Sequence, residues 1–142
     1  MNLEEKLNQL AVGLNGVTTE TGLTFSTEII TGGDVDVLMV TVKDREEFPV
    51  YITVDESQIL SITHLWTEDE VLPEKRTHLL ETLLAMNVPV PLSSFSIVGK
   101  QYIIFGATSI KCSIDEMIEE IAVLSDNTLT AIEEMTEYLV AN

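Results

Sequence analysis

The sequence predicts one α+β domain over residues 1–142, an antiparallel meander sheet with flanking helices in the order α-β-β-β-β-α-β-β-α. Three observations carry the prediction. Apolar residues recur at helical spacing in three separate stretches. Between those stretches the period changes to runs of β-branched and aromatic residues, first four and then two. The connectors within each group of runs are short and polar, the length of hairpin turns, so neighbouring strands should run antiparallel in chain order.

The first helix follows from Leu3, Leu7, Leu10, Ala11 and Leu14, with Glu4, Glu5, Lys6, Asn8 and Gln9 on its other side and Asn15-Gly16 as its stop. The four strands are FSTEII (25–30), VDVLMVTVK (35–43), FPVYITV (48–54) and QILSITHLW (58–66), joined by TGGD, DREE and DES. Asp69, Glu70 and Pro73 then announce a second helix, since proline suits a first helical turn and acidic side chains complement the N-terminal dipole. Leu79, Leu80, Leu83 and Leu84 give this helix one apolar face, with Leu83 expected beneath the meander. NVPVPL carries two prolines and reads as an extended connector. SFSIV (94–98) and QYIIFGAT (101–108) flank Gly99-Lys100 as a second hairpin. Ser113 and Glu116 have the spacing of a capping box, opening a last helix along Ile114, Ile118, Ile121, Leu124, Ile132, Met135 and Leu139, in which Ser125-Asp126-Asn127 is the one place open to a bend.

Composition narrows function by exclusion. With 45% hydrophobic residues the chain can fill a core. Its 24 acidic against 7 basic residues give a formal net charge of -17. Such a surface repels phosphate backbones and anionic headgroups, which argues against nucleic acid and against membrane-surface binding. No apolar run approaches the ~20 residues of a membrane span, so direct membrane insertion is not expected. The start MNLEEKLNQL lacks the basic and apolar regions of a signal peptide. The single cysteine, Cys112, permits no internal disulfide, and the expected compartment is the cytoplasm.

Chemistry-bearing motifs are sparse. A hydrolase would need Cys112, Ser93 or Ser94 beside His64 or His78, yet no nucleophile-elbow pattern accompanies them. The bland reading is a filler or passive thiol for Cys112, a half-buried strand residue for His64 and a solvent-facing helix residue for His78. Asp34 and Asp36 lack the glycine and terminal glutamate of an EF-hand, and His64 and His78 lack metalloprotease spacing, so no metal is expected. Glu68, Asp69, Glu70 and Glu116, Glu119, Glu120 read as solvated acidic faces. Gly32, Gly33 and Gly99-Lys100 match no phosphate-binding loop, and no cofactor is expected.

The strands suggest a different use. In VDVLMVTVK, QILSITHLW and QYIIFGA apolar residues occupy both alternating positions, whereas a sheet with one wet face should alternate. Three helices shield one face, leaving the other as an apolar patch larger than monomers usually expose. The candidate surface is Leu60, Ile62, His64 and Trp66 on the fourth strand with Ile103 and Phe105 on the sixth. A homodimer is the expected use of that surface.

The element order, small size and acidity resemble the fold of type III secretion chaperones and of YbjN-like bacterial proteins. The run MNVPVPLSSFSIVGKQYIIFGA with the later VLSDN is similar to the YjfI-like family of uncharacterised bacterial proteins. The resemblance implies a bacterial cytoplasmic protein, encoded in some genomes near relatives of the phage-shock protein PspA, and it supplies no catalytic residue. Together these readings point to a non-enzymatic interaction protein, a small acidic chaperone-like or stress-adaptor molecule that binds a protein or peptide partner, with a basic partner favoured by its field. The alternative from a different class is a small-ligand sensor or hydrolytic enzyme using His64 and Cys112. A third reading is a structural partner in a membrane-stress operon.

Overall fold

A computed structural model describes residues 2–141. Helix α1 (Leu3–Leu14) is followed by β1 (Phe25–Ile30), β2 (Val37–Val42), β3 (Val50–Val54), β4 (Ile59–Thr67), α2 (Arg76–Met86), β5 (Ser94–Val98), β6 (Gln101–Thr108) and α3 (Ile114–Glu134). The element order is the one the periodicity predicts, and the six strands form one antiparallel sheet in the order β1-β2-β3-β4-β6-β5.

Capping residues set the ends of two helices. The Asn2 side chain accepts from the Glu5 N–H at 2.8 Å to start α1. At α3, Ser113 Oγ accepts from the Glu116 N–H at 3.1 Å while Glu116 Oε1 accepts from the Ser113 N–H at 3.3 Å, closing the expected capping box. Asn15 ends α1 by turning its side chain onto β1, where its carbonyl oxygen accepts from the Thr27 N–H at 3.0 Å. The two-residue turn between β5 and β6 needs a left-handed residue, and Gly99 provides it at φ 61°.

Pairing fixes which side chains share a face. Leu38, Val40 and Val42 of β2, Val50 and Ile52 of β3, Ile59, Ser61 and Thr63 of β4 and Tyr102 and Ile104 of β6 stand in matching register and are buried. All three helices cover this side. Helix α1 lies against β1 to β3, α3 against β4 and β6, and α2 against β5. Where α1 meets α3, a Cβ on Gly13 would press within 2.7 Å of Ile114 Cδ1, so glycine sets how closely the helices approach. Among the described residues, no helix packs on the other side of the sheet.

Four expectations need correction. Pro73 starts a 3-10 turn (Pro73–Lys75) after an earlier one (Glu68–Glu70), and α2 proper begins only at Arg76. The apolar face of α2 is narrower than its leucines imply: Leu79 and Leu83 are buried, Leu84 is 69% exposed, and the helix meets β5 rather than lying beneath the meander. NVPVPL is compact rather than extended. The N–H groups of Asn87, Val88 and Val90 bond back to Leu84, Ala85 and Met86, and the prolines occupy the positions that donate nothing. Finally, α3 stops at Glu134, short of the expected run through Met135 and Leu139, and it passes Ser125, Asp126 and Asn127 without a break. Arg45 donates to Ser125 Oγ at 3.0 Å and Asp126 at 2.8 Å, and Asn127 Nδ2 donates to the Pro91 carbonyl at 2.9 Å and Ser93 Oγ at 3.0 Å.

The end of the chain is fastened to the segment before α2. Val71 and Leu139 form an isolated antiparallel bridge, with the Leu72 N–H on the Tyr138 carbonyl at 2.9 Å and the Val140 N–H on the Glu70 carbonyl at 2.7 Å.

Candidate functional site: an open sheet face beside a buried carboxyl

The uncovered face is built by the alternate residues of the same strands. Leu60, Ile62 and His64 share one parity on β4, and the register places Phe105 opposite Ile62 and Ile103 opposite His64. Five of the six candidate surface residues therefore lie together. Leu60, Ile62 and Phe105 are half-buried, His64 is exposed, and Ile103 is only 6% exposed. Met39 and Tyr51 extend the patch across β2 and β3, since Met39 opposes Tyr51 and Tyr51 opposes Ile62. The Tyr51 ring sits 5.4 Å from the His64 imidazole.

Trp66 is the exception and corrects the sixth candidate. Simple alternation would put it beside His64, but the β4–β6 register shifts between His64 and Thr67, so that Thr67 rather than Trp66 opposes Gln101. This bulge adds one residue to β4 and turns the indole to the covered side, where it is 2% exposed and 5.7 Å from the Tyr102 ring. Tyr102 in turn donates to Glu68 Oε2 at 3.1 Å, and Arg76 Nε donates to Glu68 Oε1 at 2.7 Å. Burial first, and then the neighbouring Glu68 carboxylate, raise the pKa of the Tyr102 hydroxyl. This trio ties β6 to the start of α2.

Charge separates the two sides of the molecule. Of 24 acidic residues, only Glu28 stands at an outward strand position of the open face, and no lysine or arginine does. The acids gather instead on helices and connectors. One acidic cleft of about 630 Å³ runs between residues 17–21 and α3, with Glu20, Asp115, Glu119 and Asp126 in its walls.

A second cavity, of about 460 Å³, opens where β5 stops short of the end of β6. Its walls come from residues 87–94, the last residues of β6 and one side chain of α3, Glu120. Glu120 was expected on a solvated acidic face and is instead only 5% exposed. It stands on the inward stripe of α3 with Met117, Ile121 and Leu124, and Gly106 of β6 makes room for it. A Cβ on Gly106 would collide with the Glu120 carboxyl. Glu120 Oε1 has no hydrogen-bond partner, nor does the hydroxyl of Ser61, the cross-strand partner of Gly106. Burial raises the pKa of the carboxyl, and Glu119 adds to the shift.

The hydrolytic alternative is not assembled. Cys112 is buried on the covered side, its thiol 3.7 Å from Thr108 Oγ1, while His64 projects from the open face of β4. Neither lines either cavity. His78 packs edge-on against Tyr138 at 5.4 Å, and Ser93 Oγ is engaged by Asn127. Among the described residues, no group of three or more His, Cys, Asp or Glu side chains is placed to hold a metal ion. No described helix is long and apolar enough to cross a membrane.

A six-stranded antiparallel sheet backed on one side by three helices defines a YbjN-like α+β fold. The crystal structure of YbjN from E. coli, described as a candidate transcription regulator, matches with a TM-score of 0.57 and 12% identity over 98% of this chain and 93% of that one. The chain itself belongs to the family described as "Uncharacterized protein conserved in bacteria (DUF2170)", whose model matches residues 4–139. No curated protein matches the sequence.

Proposed function

We propose that this chain is a non-enzymatic interaction protein that pairs with a second copy of itself through the open sheet face and presents its acidic outer surface to a basic protein partner. The observation that supports this reading is the near absence of charge from the open face of a chain carrying a net charge of -17. Two like-charged copies repel at long range, so a self-complementary surface has to be one from which the charges are withdrawn. Six strands at about 4.8 Å spacing and about 20 Å length offer roughly 600 Å² of flat area before side-chain relief. A standard interface needs about 800 Å² per partner, which this face approaches.

An adaptor or chaperone-like role fits the remaining surface. The acidic cleft between residues 17–21 and α3 would attract lysine- and arginine-rich segments and disfavour nucleic acid, so a regulatory role like that ascribed to YbjN would run through protein contacts. The location consistent with the single buried thiol is the cytoplasm.

Small-angle scattering over a concentration series tests the pairing. Compact-domain scaling gives a radius of gyration of about 14–15 Å for one copy and about 19 Å for two. The expected result is the larger value in the wild type and the smaller one in Ile62→Asp, with unchanged far-ultraviolet dichroism. A concentration-independent value near the smaller figure in the wild type would overturn the reading.

A further inference from the structure

We propose that the cavity at the end of β5 is a binding site for one organic cation, an ammonium or guanidinium group, with the Glu120 carboxylate as its counter-ion. Four observations converge on it. The cavity, about 460 Å³, has the size of a small-molecule site. Glu120 is more than nine-tenths buried and its Oε1 is unpartnered, although a buried carboxylate without a partner is costly. The backbone is shaped around that carboxyl, since Gly106 leaves the space that a Cβ would fill.

The fourth observation is the chemistry of the walls. Residues 87–94 and 105–108 contain no charged or ionisable side chain, so Glu120 is the one titratable group lining the cavity, and Glu119, next to it on α3, is also acidic. Nothing in the walls neutralises Glu120 from within the chain. The other polar side chains of the lining, Asn87, Ser93, Ser94 and Thr108, are neutral, as is the Leu92 carbonyl, 3.0 Å from where a Gly106 Cβ would stand. An anion would meet a carboxylate here without a compensating positive charge. A neutral ligand gives the ionised carboxyl no counter-charge and so favours its protonated form, whereas a single N–H-bearing cation satisfies both the charge and the lone pairs of the carboxylate.

Glu120 reaches the cavity from the helical side, whereas Phe105, Ala107 and Ser94 reach it from outward strand positions, so the cavity borders the pairing face. A substitution at Glu120 alters only the helical wall, so ligand binding and pairing can still fail separately. The same chemistry is offered by a free small amine and by a lysine or arginine side chain of a partner, and the test separates these sources.

The carbonyl carbon resonance of the Glu120 side chain would be followed through a pH titration of the intact protein at constant ionic strength. The probes are methylammonium, methylguanidinium, the blocked peptide acetyl-Gly-Arg-Gly-amide and, as a neutral control, methylurea. Expected is a saturable lowering of the Glu120 titration midpoint by at least about one unit, a tenfold preference for the ionised form, with one or more of the cations and none with methylurea. Glu120→Gln should lose the saturable binding at least tenfold while melting no lower than the wild type, and Glu119→Gln should keep it. Tighter binding of the peptide than of free methylguanidinium would assign the cation to a partner's side chain, and the reverse order to a free amine; both orders support the site. A midpoint indifferent to every cation, or wild-type binding by a folded Glu120→Gln, would overturn it. Scattering of Glu120→Gln should match the wild type whichever way the pairing experiment falls.

Discussion

The two faces of one sheet are made from the same strands and solved by different means. On the covered face, Val40, Ile52 and Ile104 are fully buried beneath helices. On the open face, Ile62 and Phe105, each one residue out of phase with that set, are only half-buried although they are as apolar as their inward neighbours. Composition alone does not distinguish the faces; strand parity and the placement of helices do. The lesson lies in the charges. A chain with acids to spare keeps them off the open face, so the face is withheld from solvent-like chemistry as deliberately as the core is.

The largest expected effect that sharpens this contrast is a matched pair of truncations. Ile104→Ala on the covered face should cost about 2–5 kcal/mol, because it leaves a cavity among fully packed neighbours. Ile62→Ala on the open face should cost less than about 1 kcal/mol in urea unfolding at dilutions where copies are separate. Equal costs would break the comparison.

Next in size is Gly106→Ala. The added methyl would collide with the Glu120 carboxyl and crowd the Leu92 carbonyl, an overpacking of about 1–3 kcal/mol on the covered side of β6. Ala107, one residue on and out of phase, is exposed, and Ala107→Ser should leave urea stability within about 0.5 kcal/mol. Ser113→Ala tests a boundary remote from both faces and should cost about 1 kcal/mol in the same measurement through loss of the α3 cap.

The smallest effect is a dependence on pH. The Glu120 carboxyl binds its proton more tightly in the folded chain than in the unfolded one. Its contribution to stability is therefore full below the ordinary carboxyl pKa and is lost as pH rises through the raised value. Glu120→Gln removes that loss, so the melting temperature of the variant relative to the wild type should climb as pH rises above the ordinary carboxyl range. A flat difference would place the carboxyl in an environment like water.

Most of the architecture was legible because hydrophobic period, hairpin-length connectors and the Ser113–Glu116 spacing are local signals that tertiary packing did not override. The open face was legible in the apolar residues at both parities of β4 and β6. Trp66 was not, because a bulge is decided by how β4 meets a strand far along the chain, and alternation counted along β4 alone assigns the wrong side. Glu120 was also missed when the acids of α3 were read as a group. Its signal was present in two parts: its position on the stripe of Met117, Ile121 and Leu124, and a glycine in the interior of β6. Each part is ordinary alone, and only the fold brings them together.

The junction of β4 with β6 has a consequence for how the chain reaches this fold. The meander β1 to β4 and the hairpin β5–β6 can each form from near neighbours in sequence, but the two are stitched along partners such as Ile59 and Thr108, 49 residues apart. Loop closure over that distance is a cost that the local hairpins do not share. Folding should accordingly proceed as two preformed β units seeking each other, with α2 carried in the loop between them. Substitutions at the stitch should then slow folding, while those within β1–β2 should chiefly hasten unfolding.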